Sequence, residues 1–179
     1  MDLACTIDVT TACAGWTRLC PFAEGLASGA AELALARGTT DLGLMWEGTV
    51  ELGITLADAT SQRQLNRDYR GQDQPTNVLA FPVWRAGTRL PPGAPVLLGD
   101  VVLALETVAQ EAAEQEKPIG HHLIHLTVHG VLHLLGYDHL TQVEAANMES
   151  LERSILAELG VPDPYRDPMS SSQRAAAQP

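Results

Sequence analysis

A chain of 179 residues with 45% hydrophobic side chains is long enough for one domain with a real core and too short for two ordinary ones. Its formal net charge of −11 argues against a protein that coats nucleic acid non-specifically, because attraction to phosphate needs Lys and Arg. There is no apolar run of the roughly 18 residues a membrane span needs, the start Met1-Asp2-Leu3-Ala4 has no basic or apolar signal character, and Cys5, Cys13 and Cys20 form no CxxC pair, so a cytosolic protein with reduced thiols is expected.

Residues 3 to 9 alternate loosely and predict a short strand. From Trp16 to Ala36, the residues Leu19, Phe22, Leu26, Ala30, Leu33 and Leu35 recur at helical intervals, with Gly38 as the expected stop. Val50, Leu52, Ile54 and Leu56 occupy alternate positions and predict a second strand, a firmer one than the glycine-containing stretch before it. Asp58 is placed to cap a helix through about Tyr69, with Arg63, Arg67 and Arg70 on one face and Gly71 at its end. Five of the eleven basic residues (Arg63, Arg67, Arg70, Arg85 and Arg89) fall between 63 and 89, among only two acids, Asp68 and Asp73. They form either a local basic region or a solvated helix face with loop arginines.

A turn-rich loop over 71 to 77 leads to a strand from Asn77 to Pro82, and the glycines and prolines of 85 to 95 predict an exposed excursion. Leu97 to Leu103 reads as a strand buried on both faces, which makes Asp100 a buried carboxylate in need of a donor. Glu106 to Glu116 predicts an acidic amphipathic helix. Pro118 then opens a long helix through Leu135, and Thr141 with Glu144 caps a last helix whose Val143, Met148, Leu151, Ile155, Leu156 and Leu159 pack on the core. From about Asp163 the composition predicts a loose tail. The expected division is one domain over 1–162 and a tail over 163–179.

Residues 129 to 139 hold three of the six histidines. His129 and His133, four apart on a helix, project from one face, and Gly136 is placed to end that helix and return His139 toward them. The spacing H-x3-H-x2-G-x2-H is the metzincin zinc pattern, two ligands from a helix and one from beyond a glycine turn. In those proteases a glutamate follows the first histidine as general base; here the residue is Gly130, so the ligand set is kept while the base is missing. His121, His125, His129 and His133 are all four apart, but only 129/133 has a third partner, which leaves His121, His122 and His125 as structural or outer groups. Asp138 is a candidate to orient a ligand histidine.

Three blocks, Leu65 to Pro82, Gly99-Asp100-Val101-Val102 and His125 to His139, strongly resemble the YbeY family of bacterial endoribonucleases, the ribosomal RNA maturation factors. The expected fold is α/β (α+β), a small mixed sheet of about four strands flanked by helices, with a central helix bearing the histidines. The resemblance implies a single-strand-specific endoribonuclease with one zinc ion on His129, His133 and His139. The implied setting is 16S ribosomal RNA 3′-end maturation and ribosome quality control. Arg70 matches the arginine the family uses in activity, so Arg70, His129, His133 and His139 are the expected catalytic residues. The implied partners are single-stranded ribosomal RNA and the small subunit or its assembly factors, with no DNA and no membrane. The general base is unassigned, and the nucleophile is either a water activated at the metal or the ribose 2′-hydroxyl. Tyr69, Phe81, Trp84 and Tyr137 are available either to stack on bases or to fill the core. A peptide or amide hydrolase would use the same ligands but lacks the glutamate; a non-catalytic assembly module would need a fourth protein ligand to close a structural zinc site.

Overall fold

The alternating apolar residues of 50–57 become the centre of a four-stranded sheet. A computed structural model describes residues 4–166. In it β1 (Cys5–Thr11) lies parallel to β2 (Val50–Ala57), and β2 lies parallel to β4 (Val96–Ala104). The short β3 (Val78–Pro82) runs antiparallel to β4, giving the order β1-β2-β4-β3 with β3 at an edge. The pairing of β2 with β4 slips by one residue between Glu51 and Leu52. Gly99 follows at φ 135°, and a Cβ there would collide with the Phe81 carbonyl of β3, so the strand can bend only around a glycine.

The remaining elements are α1 (Gly15–Leu19), α2 (Ala23–Asp41), α3 (Ala59–Arg70), α4 (Leu105–Glu114), α5 (Ile119–Leu134) and α6 (Gln142–Glu158). One face of the sheet is closed by α2 and α5. The buried side of α2 carries Ala27, Ala30, Ala31 and Ala34, small enough to let α5 approach, while α5 contributes Leu123, Val128, Val131, Leu132 and Leu134. Trp16 is fully buried between them and the sheet, and its indole N–H donates to the Ala57 carbonyl at 2.9 Å.

The single helix expected from Trp16 to Ala36 is two helices. Pro21 has no N–H to continue α1 and pushes Cys20 out of helical geometry, to φ −142° and ψ 81°. Gly38 does not stop α2, which runs on to Asp41. Its role is spatial: a Cβ at Gly38 would lie 2.5 Å from Leu135 Cδ1.

On the other face of the sheet α3 covers only one end, over Ala57, Leu79 and Val102, with Leu65 and Phe81 against them. The expectation that β4 is buried on both faces is corrected accordingly. Asp100 is exposed, and Leu97 is 53% exposed, because among the described residues no helix covers their side of the sheet. Val143, expected to pack on the core, is 70% exposed at the start of α6. Asp163 to Arg166, expected to begin a loose tail, are instead tied to α6 through Arg153–Asp163 and a Tyr165 hydroxyl that donates to Glu152. The expectation for 167–179 lies outside the described residues. No helix among the described residues is long and apolar enough to cross a membrane.

Candidate metal centre

The apolar residues of α5 bury it against the sheet and α2, and the one stripe of it that stays polar presents His129 and His133 a turn apart, ring centroids 4.5 Å from each other. The helix ends in a double cap. Tyr137 N–H donates to the Leu132 carbonyl (3.1 Å) and Gly136 N–H to the His133 carbonyl (3.0 Å), with Gly136 at φ 96°. That turn reverses the chain and brings His139 back, so that one ligating nitrogen from each of His129, His133 and His139 lies within 4.8 Å of the others. His129 and His133 are half-buried, whereas His139 is exposed, so the trio faces solvent on one side.

The hydrogen bonds behind the rings decide what their inner faces offer. A carbonyl can only accept, so His133 Nδ1 donates its proton to the Tyr137 carbonyl at 2.9 Å and Nε2 keeps a lone pair. His129 Nδ1 donates to Glu152 Oε1 at 2.7 Å, with the same result at its own Nε2. The two Nε2 atoms are 3.0 Å apart. In the neutral state two lone pairs thus face each other, a repulsive arrangement that a shared cation converts into two bonds. For tetrahedral ligands roughly 2.0–2.1 Å from zinc the nitrogens would sit only slightly farther apart than this, so the donor set fits the ion.

The charge states agree. Burial, with His129 and His139 beside it, pushes His133 down to about 4, so this ring is a neutral ligand near pH 7. For Glu152 burial acts upward, but the donors around it, His125, His129 and Tyr165, more than reverse that and hold its carboxyl down to about 2. The His125 contact is a long one, its Nε2 being 3.8 Å from Glu152 Oε2.

The histidines open on a cavity of about 560 Å³ that β3 lines with Val78, Ala80 and Pro82. Arg70, from the last turn of α3, lines the same cavity and donates to the Ala80 carbonyl at 3.0 Å. The four residues singled out from the sequence therefore meet. The other arginines of that face do not: Arg63 is held by Asp73 at 2.8 Å and Arg67 lies against Asp68. Among the described residues, Arg85 and Arg89 have no acidic partner.

The remaining histidines are placed apart. His122 Nε2–H donates to Glu111 Oε2 at 2.6 Å, and His121 and His125 line a different cavity beside Pro118 and Pro162. Asp138 does not orient a ring; it accepts from the His139 backbone N–H at 2.8 Å, and the orienting groups are Glu152 and the Tyr137 carbonyl. Of the four aromatic candidates, Trp84 is buried against Trp46 and Tyr137 donates to Asp41 at 2.5 Å. Tyr69 is 74% exposed and rests edge-on against Phe81, which leaves this pair as the one open to a base.

Glu152 is the functional group that sequence reasoning missed. Its signal is a matter of phase: it falls between Met148 and Ile155 on the buried side of α6, where a carboxylate needs a reason to be.

A model of the family described as endoribonuclease YbeY matches residues 31–160. A Paramagnetospirillum magneticum protein of that name is 51% identical over 166 residues, covering 92% of this chain and 98% of its own length. One from Nitrobacter hamburgensis is 50% identical over 144 residues, covering 80% of this chain and 73% of its own length. The solution structure of a Thermotoga maritima protein superposes with a TM-score of 0.55 at 22% identity, over 91% of this chain and 98% of that one, a likeness of fold. On the family match and the curated relatives together, the chain belongs to the endoribonuclease YbeY family.

Proposed function

We propose that the protein is a zinc-dependent endoribonuclease that cleaves single-stranded RNA, with His129, His133 and His139 holding one zinc ion and Arg70 binding the scissile phosphate. Family membership supports the endoribonuclease activity, and the observation that carries the metal is the pair of facing Nε2 lone pairs 3.0 Å apart, in the cavity that Arg70 also lines. We place its action in the cytoplasm, in 16S ribosomal RNA 3′-end maturation and ribosome quality control, with the small subunit or its assembly factors as partners. The catalytic unit is one domain over 1–162, to which Asp163–Arg166 are tied through Arg153 and Glu152 of α6.

His129, His133 and His139 would hold a divalent ion, which would supply a Lewis acid to polarise a phosphate oxygen and stabilise charge developing in the transition state. Everything else falls to the chain. Arg70, its backbone partner given up, turns a planar fork of donors to two phosphate oxygens. Against a net charge of −11, this guanidinium is what draws the RNA backbone to the cavity. Tyr69, exposed and adjacent in sequence to Arg70, offers a face for an unpaired base, a contact that duplex RNA with its bases stacked inside cannot make.

The peptidase alternative is weakened by the packing at Gly130. A Cβ there would lie 2.7 Å from Val101 Cγ1 and 3.3 Å from Val78 Cγ2, so the glutamate of a peptidase has no room at that position. His133→Ala should lower metal content and RNA cleavage together, whereas Arg70→Glu should remove cleavage and leave metal bound. Metal analysis beside cleavage assays on single-stranded and duplex RNA measures both. Cleavage that persists in a metal-free sample overturns the mechanism, and peptide turnover would restore the alternative.

A further inference from the structure

Glu152 has no exposed surface, yet it carries a charge in the middle of the apolar side of α6. An ion taken out of water costs several kcal/mol on the order of magnitude unless it is paired. No lysine or arginine reaches it among the described residues: its neighbour Arg153 is engaged with Glu149 and Asp163. What Glu152 does have is His129 Nδ1 on one oxygen and the Tyr165 hydroxyl on the other. His125 Nε2 lies 3.8 Å from Oε2, beyond hydrogen-bond reach, so the ring bonded to Glu152 is that of His129, and a cation on His129 Nε2 would place positive charge on that side of the carboxylate.

Tyr165 is itself held in place. Its backbone N–H donates to Asp163 Oδ1 at 2.9 Å, the Arg153 guanidinium lies 5.0 Å over its ring, and the His125 ring meets it edge-on with centroids 5.7 Å apart. A hydroxyl fixed in this way fills the second oxygen of Glu152 and stops the carboxylate from rotating away from His129.

We propose that Glu152 and Tyr165 are a positioning pair that keeps His129 in its metal-ligating tautomer and orientation, so that the short segment after α6 sets the metal affinity of the centre. This rests on the three histidines being metal ligands. Loss of an outer partner of a ligand histidine typically weakens metal binding by about 10- to 100-fold. Glu152→Gln keeps an acceptor for His129 but removes the charge, and should weaken binding by about tenfold; Glu152→Ala removes both and should approach a hundredfold. Tyr165→Phe should fall between wild type and Glu152→Gln.

The test measures Zn²⁺ and Co²⁺ affinity of the full chain by chelator competition, the visible absorption of the Co²⁺ form, and melting of the metal-free form. Weakened binding with a changed Co²⁺ spectrum, at an unchanged metal-free melting temperature for Tyr165→Phe, is the expected result. A lower metal-free melting temperature with wild-type affinity and spectrum would make both residues merely structural and overturn the proposal. Should Glu152→Ala fail to fold, Glu152→Gln and Tyr165→Phe decide between these outcomes. A wild-type protein that binds neither ion would instead remove the metal assignment itself, whereas wild-type binding with all variants equal to it would leave that assignment standing and sink only the positioning pair.

Discussion

Replacing Gly130 by alanine sets two effects of opposite sign against each other at one residue. Within a helix, Ala is favoured over Gly by about 1 kcal/mol, so on propensity alone the change stabilises α5. The new methyl, however, would sit 2.7 Å from Val101 Cγ1 and 3.1 Å from its Cγ2, with Val78 Cγ2 at 3.3 Å on another side. Val101 is fully buried and β-branched, so it cannot swing away, and Val78 belongs to the strand that lines the cavity. Overpacking of this kind costs about 1–3 kcal/mol, which leaves Gly130→Ala destabilising by about 0–2 kcal/mol. The molecule carries its own control. Gly29, in the exposed side of α2, has nothing within 4 Å of the corresponding point, so Gly29→Ala should stabilise by about 1 kcal/mol. Urea unfolding of the metal-free protein and both variants gives the two differences directly, and their separation of about 1–3 kcal/mol is the packing effect. If Gly130→Ala stabilises as much as Gly29→Ala, the close approach of α5 to the sheet is not what the glycine serves, and the steric case against a glutamate there goes with it.

Three further outcomes are expected. Thr141→Ala removes a capping box in which the Thr141 hydroxyl accepts from Glu144 N–H at 3.2 Å while Glu144 reaches back to Thr141 N–H at 2.9 Å; chemical denaturation should show a loss of about 1 kcal/mol. Burial depresses the pKa of His122, with Lys117 and His125 adding to the effect and Glu111 opposing it. Below its unfolded value of about 6.5 the unfolded chain therefore binds a proton that the folded chain resists, so stability should fall as pH drops from about 7 toward 5; His133 contributes to the same slope, so His122→Asn should reduce it without abolishing it, and a full wild-type slope retained by the variant would refute the assignment. Tyr69→Ala should raise KM for single-stranded RNA with metal content unchanged, and an unchanged KM would remove Tyr69 from the substrate path.

Much of the site was legible because its signals are local. The spacing of His129, His133 and His139 around Gly136 encodes both a helix face and its cap, and Asp58, Gly71 and Thr141 mark helix ends that the structure keeps, with Asp58 accepting from Ser61 N–H at 2.7 Å. What was missed depends on neighbours remote in sequence. Gly38 looks like a helix stop, and only the approach of Leu135 from α5 shows that it is a packing glycine. The apolar run of β4 looks buried on both sides because nothing within the strand tells that α3 covers only its far end, past Asp100. Glu152 hides for the same reason: its partners, His129 and Tyr165, come from α5 and from the segment after α6. Pro21 is the exception, a local break that outweighed an apolar rhythm running through it.

The free edge of β3 explains why a centre with the ligand spacing of a peptidase suits a different substrate. Asn77 is hydrogen-bonded to Ala104 of β4 and Val83 to Leu98, so by alternation Val78, Ala80 and Pro82 turn their backbone groups away from the sheet, along the cavity. A peptide bound as an added strand needs the donors and acceptors of such an edge. Here Pro82 has no N–H to give, and the Ala80 carbonyl is already taken by Arg70. The residue that withdraws the edge from a peptide is the one proposed to bind the phosphate, so the substitution of Arg70 by a small side chain would open the edge and remove that proposed contact in a single step. Arg70→Ala should thus lose RNA cleavage while its metal content stays at the wild-type level. Retained cleavage at the wild-type rate would show that the guanidinium serves the edge of the sheet alone.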